Sequence, residues 1–289
     1  AQREALVVAP RSDGKVPHLL SMSATPIPRS LALTLLGDLD VSIISTKPAG
    51  RLPITTKLYV GEEGREAAEE LIHREAAKGQ RAFIVCPLID DSDVLGVKSV
   101  EMEARRLQSG PLQNLRIGVL HGKMPAKEKD ETMQKFVDGK IDVLVATTVV
   151  EVGVDVPEAT VMCIEGAERF GLAQLHQLRG RVGRSFHQSY CLLIATDEGM
   201  SLQRLRVMER TNDGFVVAEE DLRLRGEGNL LGTEQSGKAI FTAARMNDFE
   251  LMAKAREVSE ELLRDDPTLS RHAALKKIVT QMRETRHRE

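Results

Sequence analysis

Through the middle of the chain, short β-branched apolar runs alternate with stretches of helical period. The runs RAFIVCPLI (81–89), RIGVLH (116–121), DVLVATT (142–148), ATVMCIE (159–165) and SYCLLIA (189–195) read as strands. Before the first of them, and again between the second and third, the pattern turns helical. GREAAEELIHREAAKG (64–79) carries apolar residues at helical spacing and ends on a glycine suited to a C-cap. PAKEKDETMQKFVDGK (125–140) opens with proline at a first helical position and closes on Asp-Gly. Five parallel strands with intervening helices predict one doubly wound α/β domain over residues 54–196.

The flanks follow other patterns. Residues 1–50 hold one apolar strand candidate, HLLSMS (18–23), then a proline-marked helix start and a second short strand, too little to bury a core alone. The stretch STKPAGRLP reads as a linker. After residue 196 the strand pattern stops. GMSLQRLRVMERTNDG and FVVAEEDLRLRGEG predict two helices joined by an Asn-Asp-Gly turn, and residues 246–289 are helical and charge-rich, with Pro267 between two helices. Gly226, Gly228 and Gly232 superficially suggest a dinucleotide fingerprint, but they have one residue too many and follow a charged helix, so they read as a turn.

Composition narrows the class. The 289 residues are 42% hydrophobic and 29% charged with net charge −3, the profile of a globular protein rather than a disordered tail. No apolar run spans a membrane and the first residues lack signal-peptide character, which gives a cytoplasmic expectation. The chain begins without methionine, as a piece of a longer protein would. Cys86, Cys163 and Cys191 stand singly in apolar runs, without the paired spacing of a zinc site, and are expected as buried hydrophobes. Any basic face must come from local clustering.

Candidate chemistry gathers in loops after strands, the ligand-bearing edge of such a sheet. In QLRGRVGR (177–184), Gly180 and Gly183 permit close backbone approach, while Arg181 and Arg184, three apart, are expected on one helix face. Guanidiniums there match phosphate oxygens. VLVATTVVEVGVDVP (143–157) leads from a strand into the hydroxyls of Thr147 and Thr148, then into Gly153 and Asp155, a carboxylate able to bond a ribose. VLHGKM places His121 and Lys123 after another strand. Arg204 and Arg225, on the paired helices, are expected to bridge to carboxylates such as Glu209 or Glu220.

MSATPIPRSLALTLLGDLD with Ser23-Ala24-Thr25, TTVVEVGVDVP and QLRGRVGR resemble motifs III, V and VI of superfamily 2 helicases, in that order. RLRVMERTNDGFVVAEEDLRLRGEGNLLGTEQSG (204–237) resembles the translocation motif shared by the RecG and Mfd families, and GDLDVS with the short helical tail favours RecG-type proteins. The resemblance implies a RecA-like fold and four segments: 1–53, the tail of a first motor domain with its linker; 54–196, a second RecA-like domain; 197–240, a translocation hairpin and loop; 241–289, a helical tail. It implies that Arg181 and Arg184 reach ATP across an interdomain cleft, with Arg184 the finger on the γ-phosphate and Gln177 the motif's glutamine. Gly153 and Asp155 fall on the nucleotide side. His121, Thr147 and Thr148 fall toward DNA, and Arg204, Arg225 and Gln235 couple motion to it.

A P-loop and an acidic Walker B pair, which cradle phosphates and hold magnesium, do not occur in the sequence. In superfamily 2 both lie in the first motor domain, so ATP with Mg2+ is expected to be held mainly there. The implied partners are double-stranded and branched DNA, the amino-terminal wedge and that first domain. The alternatives are half of a transcription-repair translocase of Mfd type, or a non-enzymatic helicase-like module that docks a partner.

Overall fold

The computed structural model describes residues 50–87, 93–151, 155–196, 200–225 and 249–286, with residues 20, 22, 42 and 44. Motif III, Gly153, Gln235 and the glycines at 226–232 lie outside the described residues.

Six parallel strands form one sheet: β1 (Thr55–Val60), β2 (Arg81–Val85), β3 (Ile117–Leu120), β4 (Val143–Ala146), β5 (Ala159–Ile164) and β6 (Tyr190–Ala195). Their spatial order is β1-β6-β5-β2-β4-β3. The continuously apolar strands β4 and β5 are buried at every position, as interior strands of a parallel sheet covered on both faces must be. Helices α1 (Gly61–Ala76) and α2 (Asp93–Ser109) cover one face, where Leu71, Ile72, Val100 and Leu107 meet Ile84, Val145, Cys163 and Ile194. The other face is covered by α3 (Ala126–Val137), α4 (Leu172–Arg179) and the hairpin of α5 (Met200–Arg210) and α6 (Gly214–Arg225). There Phe136 tilts against Phe83 with ring centroids 4.8 Å apart. The tail holds α7 (Phe249–Asp265) and α8 (Ala273–Arg286), joined through the turn that contains Pro267. Asp266 caps that turn, accepting backbone N–H bonds from Ser270 at 2.9 Å and Arg271 at 2.7 Å.

Three features differ from the sequence reading. TTKLYV makes a sixth strand, β1. It was hidden because an edge strand with one half-open face mixes Thr and Lys with Leu, Tyr and Val. Residues 93–109 form α2, whose buried Val100, Ala104 and Leu107 keep helical spacing. Pro125 is the N-cap of α3 and not its first helical residue, with φ −54° and ψ 145°, since proline fixes φ but an extended ψ leaves it outside the helix. The three cysteines are free and buried, and burial raises all three thiols, Cys191 to about 12.

Candidate functional site

Because all six strands are parallel, every loop that follows a strand opens on one edge of the sheet. This places His121 after β3, Thr147 and Thr148 after β4, and α4 with its arginines after β5.

QLRGRVGR does not continue as a helix. Leu172–Arg179 form α4, with Gly171 as its N-cap and Gly180 as its C-cap. Arg181 and Arg184 therefore lie in the loop beyond it and share no helix face. Gly183 enforces the break: its φ is +76°, a left-handed conformation that side-chain-bearing residues rarely adopt. The loop turns Arg184 toward the segment after β4, where its guanidinium pairs with Asp155 at 3.1 Å and its Nε donates to the Gly180 carbonyl at 3.3 Å. The Asp155 side chain is 59% exposed. Such a pair is weakly held in water, so an anion of higher charge can displace the carboxylate. In this structure Asp155 is engaged with Arg184. Gln177 and Arg181 are half-buried on the same turn of chain.

Arg179, which sequence reasoning passed over, behaves in the opposite way. It is 2% exposed, and burial lowers its pKa from the usual arginine value. One terminal nitrogen donates to the carbonyls of Met208 at 2.9 Å and Thr211 at 2.8 Å, and to Thr56 Oγ1 at 3.4 Å. The other lies 2.9 Å from His176 Nδ1. Arg179 therefore fastens the helix of motif VI to the carboxyl end of α5, the hairpin turn and β1. The signal was present: with Leu172 and Leu175 it falls on the apolar stripe of α4 at offsets of three and seven.

Arg204 also contradicts its expected partner. It donates to the backbone carbonyls of Glu168 at 2.6 Å and Phe170 at 3.0 Å, at the turn leading into α4. Glu209 instead accepts the Leu58 N–H at 2.7 Å, and Glu220 pairs with Arg223. The physical reason is position: α5 packs beside the turn before α4, whose outward carbonyls need donors. Arg225 ends α6, with its side chain outside the described set.

On the remaining loops, Thr147 is buried, its N–H donating to the Leu120 carbonyl at 3.2 Å, which leaves Thr148 as the half-exposed member of the pair. His121 is half-buried beside exposed Lys123, and its Nδ1 is buried with no hydrogen-bond partner among the described residues. Across the sheet, Glu165 follows β5 under α1 and pairs with Arg65 at 2.8 Å. Burial pushes its carboxyl up to about 7, with Arg65 pulling back. Among the described residues no group of His, Cys, Asp and Glu is arranged to hold a metal ion, and no helix is long and apolar enough to cross a membrane.

A RecA-like parallel sheet that carries an arginine loop at its ligand edge, with a helical hairpin pinned to it, is the fold of a helicase carboxyl-terminal domain. Two family models match: "Helicase conserved C-terminal domain" over residues 63–186 and "ATP-dependent DNA helicase RecG, domain 3, C-terminal" over residues 211–288. The chain is 51% identical over 265 residues to ATP-dependent DNA helicase RecG of a Synechocystis strain, covering 91% of this chain and 32% of the relative. It is 48% identical over 277 residues to RecG of Aquifex aeolicus, covering 93% and 35%. A solved structure of RecG bound to a three-way DNA junction aligns with TM-score 0.66 at 42% identity, covering 86% of this chain and 31% of that one. The chain belongs to the RecG family, and it spans about a third of the length of these curated relatives.

Proposed function

We propose that this chain is the second motor half of an ATP-dependent double-stranded-DNA translocase that remodels branched DNA such as stalled forks and Holliday junctions. Residues 1–53 belong in this reading to the first motor domain and its linker, and residues 241–289 to a helical tail. The observation that carries it is the contrast at motif VI: Arg184 rests on a displaceable carboxylate at the ligand edge, and Arg179, five residues earlier, is bolted to the hairpin.

ATP supplies the phosphoryl group whose developing charge the site must offset. Arg184 exchanges Asp155 for the γ-phosphate when the first motor domain closes over the cleft, and Arg181 adds a second guanidinium, with Gln177 beside them. Gly153 completes the nucleotide side. Magnesium is held by the other domain, since its P-loop and Walker B ligands are not in this chain. Thr148, with Thr147 behind it, and His121 face the DNA backbone. Arg204 ties α5 to the turn before α4, so rotation of motif VI moves the hairpin as a body, and Arg225 and Gln235 pass that motion to DNA. Contacts of this chain with DNA are directed at phosphates and weaken with salt. With 3% aromatic residues, stacking on unpaired bases is a minor mode.

The test is complementation. The chain alone is expected to hydrolyse no ATP, and addition of a RecG-type first motor domain restores DNA-stimulated hydrolysis that Arg184→Ala removes. Hydrolysis by the purified chain alone, or a silent Arg184→Ala, refutes the reading. RecG relatives named as ATP-dependent DNA helicases, one of them seen on a three-way DNA junction, support it.

A further inference from the structure

Between the arginine loop and the hairpin runs one segment that neither motif includes: residues 50–58, where the chain enters the sheet as edge strand β1. It is gripped from both sides. On the loop side, Gln188 Nε2 donates to the Pro53 carbonyl at 3.0 Å and to Thr55 Oγ1 at 3.1 Å, and the Thr55 N–H donates to the Ser189 carbonyl at 2.9 Å. Two close approaches reinforce this. A Cβ on Gly183 would meet Ile54 Cγ1 at 2.8 Å, and one on Gly50 would meet Phe186 Cε1 at 2.7 Å. On the hairpin side, three groups two residues apart are engaged along the outer edge. Asn212 Nδ2 donates to the Ile54 carbonyl at 3.1 Å, Arg179 to Thr56 Oγ1 at 3.4 Å, and the Leu58 N–H donates to Glu209 Oε1 at 2.7 Å. Side chains from the end of α5 and the hairpin turn thus stand where a seventh strand would pair.

Asn212 is poorly explained as a stabilising residue, because its Oδ1 is buried with no hydrogen-bond partner among the described residues. An unmet buried carbonyl is costly, so burying this amide makes sense only if the position of its donor matters. We infer that residues 50–58 are a mechanical relay between the arginine loop and the hairpin, and that Asn212, Glu209 and Gln188 are positioning residues that hold the relay in register. When the arginine loop shifts toward a nucleotide, Gln188 and Gly183 carry the strand entry with it. Asn212 and Glu209 then draw the hairpin along. The inference rests on the motor reading above.

The experiment uses a full-length RecG-type protein carrying this segment and measures DNA-stimulated ATPase together with displacement of a third strand from a triplex, so that movement per ATP is read directly. Asn212→Asp keeps the shape but removes the donor and sets an acceptor against the Ile54 carbonyl. Glu209→Ala removes the acceptor for Leu58. Both are expected to hold ATPase within about twofold while displacement per ATP falls roughly tenfold, the scale of a typical coupling between sites. Glu209→Gln retains an acceptor and matches the parent. Unchanged displacement per ATP in Asn212→Asp and Glu209→Ala overturns the relay, as does a parallel loss of both activities with melting temperature, the mark of a merely structural contact. A parent protein without DNA-stimulated ATPase refutes the motor reading itself, and the relay with it.

Discussion

Arg179 and Arg184 lie five residues apart and share a charge, yet they occupy opposite environments. Arg179 is sealed on the apolar stripe of α4 and satisfied by the carbonyls of Met208 and Thr211. Arg184 stands in the following loop, against an exposed carboxylate. Buried donors aimed at fixed backbone carbonyls have no alternative partner and hold geometry. A guanidinium resting on a hydrated carboxylate loses little on release and is free to act on a ligand. The identity and burial of the partner, not the residue type, separates the structural arginine from the one proposed to act on ATP.

The sharpest way to break this contrast is to delete each side chain and compare hydrolysis with stability. In the complemented motor, Arg184→Ala is expected to lower ATP hydrolysis by about 10³ to 10⁵. It should change the denaturation midpoint of the chain far less than Arg179→Ala does, because the lost ion pair has an exposed carboxylate partner. Arg179→Ala should do the reverse in first order. It strands two carbonyls and opens a cavity, so a loss of roughly 2–4 kcal/mol in denaturant unfolding is expected. If Arg184→Ala proved the more destabilising of the two, the assignment of roles would be inverted.

Gly183 separates the two arginines and offers a finer probe. Its φ of +76° and the 2.8 Å approach to Ile54 both oppose a side chain. Gly183→Ala is expected to cost about 1–3 kcal/mol by equilibrium unfolding. The strain falls on the Arg184 loop and leaves the Arg179 bonds in place, so ATPase should weaken more than the hairpin's protection from hydrogen exchange. Equal loss of both would mean that the loop and the helix end move as one unit.

Much of this was legible in the chain. The central strands announced themselves because burial on both faces demands apolar runs, whereas Gly-Arg-Val-Gly-Arg read as a helix face and is turned into a loop by the left-handed backbone at Gly183. What stayed hidden was decided by long-range partners. β1 reads as polar until Glu209, Asn212 and Arg179 are seen against its outer edge, 151 residues away in the case of Leu58 and Glu209. Arg204 looked like a carboxylate partner, and packing gave it the carbonyls of Glu168 and Phe170 instead. Sequence period reports what a residue buries, but not which backbone oxygen will need it.

Carboxylates extend the same contrast at a smaller scale. Asp155 is exposed beside Arg184, whereas the Glu165 side chain is only 13% exposed beside Arg65, and this partial burial pushes its carboxyl up from 4.5 to about 7. Between those values the folded protein binds a proton at Glu165 that the unfolded chain has released. Stability contributed by this group is therefore present at the acid end of the window and lost as pH rises from about 4.5 toward about 7. Glu165→Gln replaces the carboxyl with a neutral amide of the same shape and removes that proton exchange. Across the window the parent's melting temperature should fall relative to that of the Glu165→Gln variant by about 4–10 °C, as expected for roughly 2–3 kcal/mol in a domain of this size. Thermal melts of both proteins at several pH values decide the matter. Parallel curves would show that Glu165 stays ionised through its bond to Arg65, in which case burial alone would not distinguish the two carboxylates as it distinguishes the two arginines.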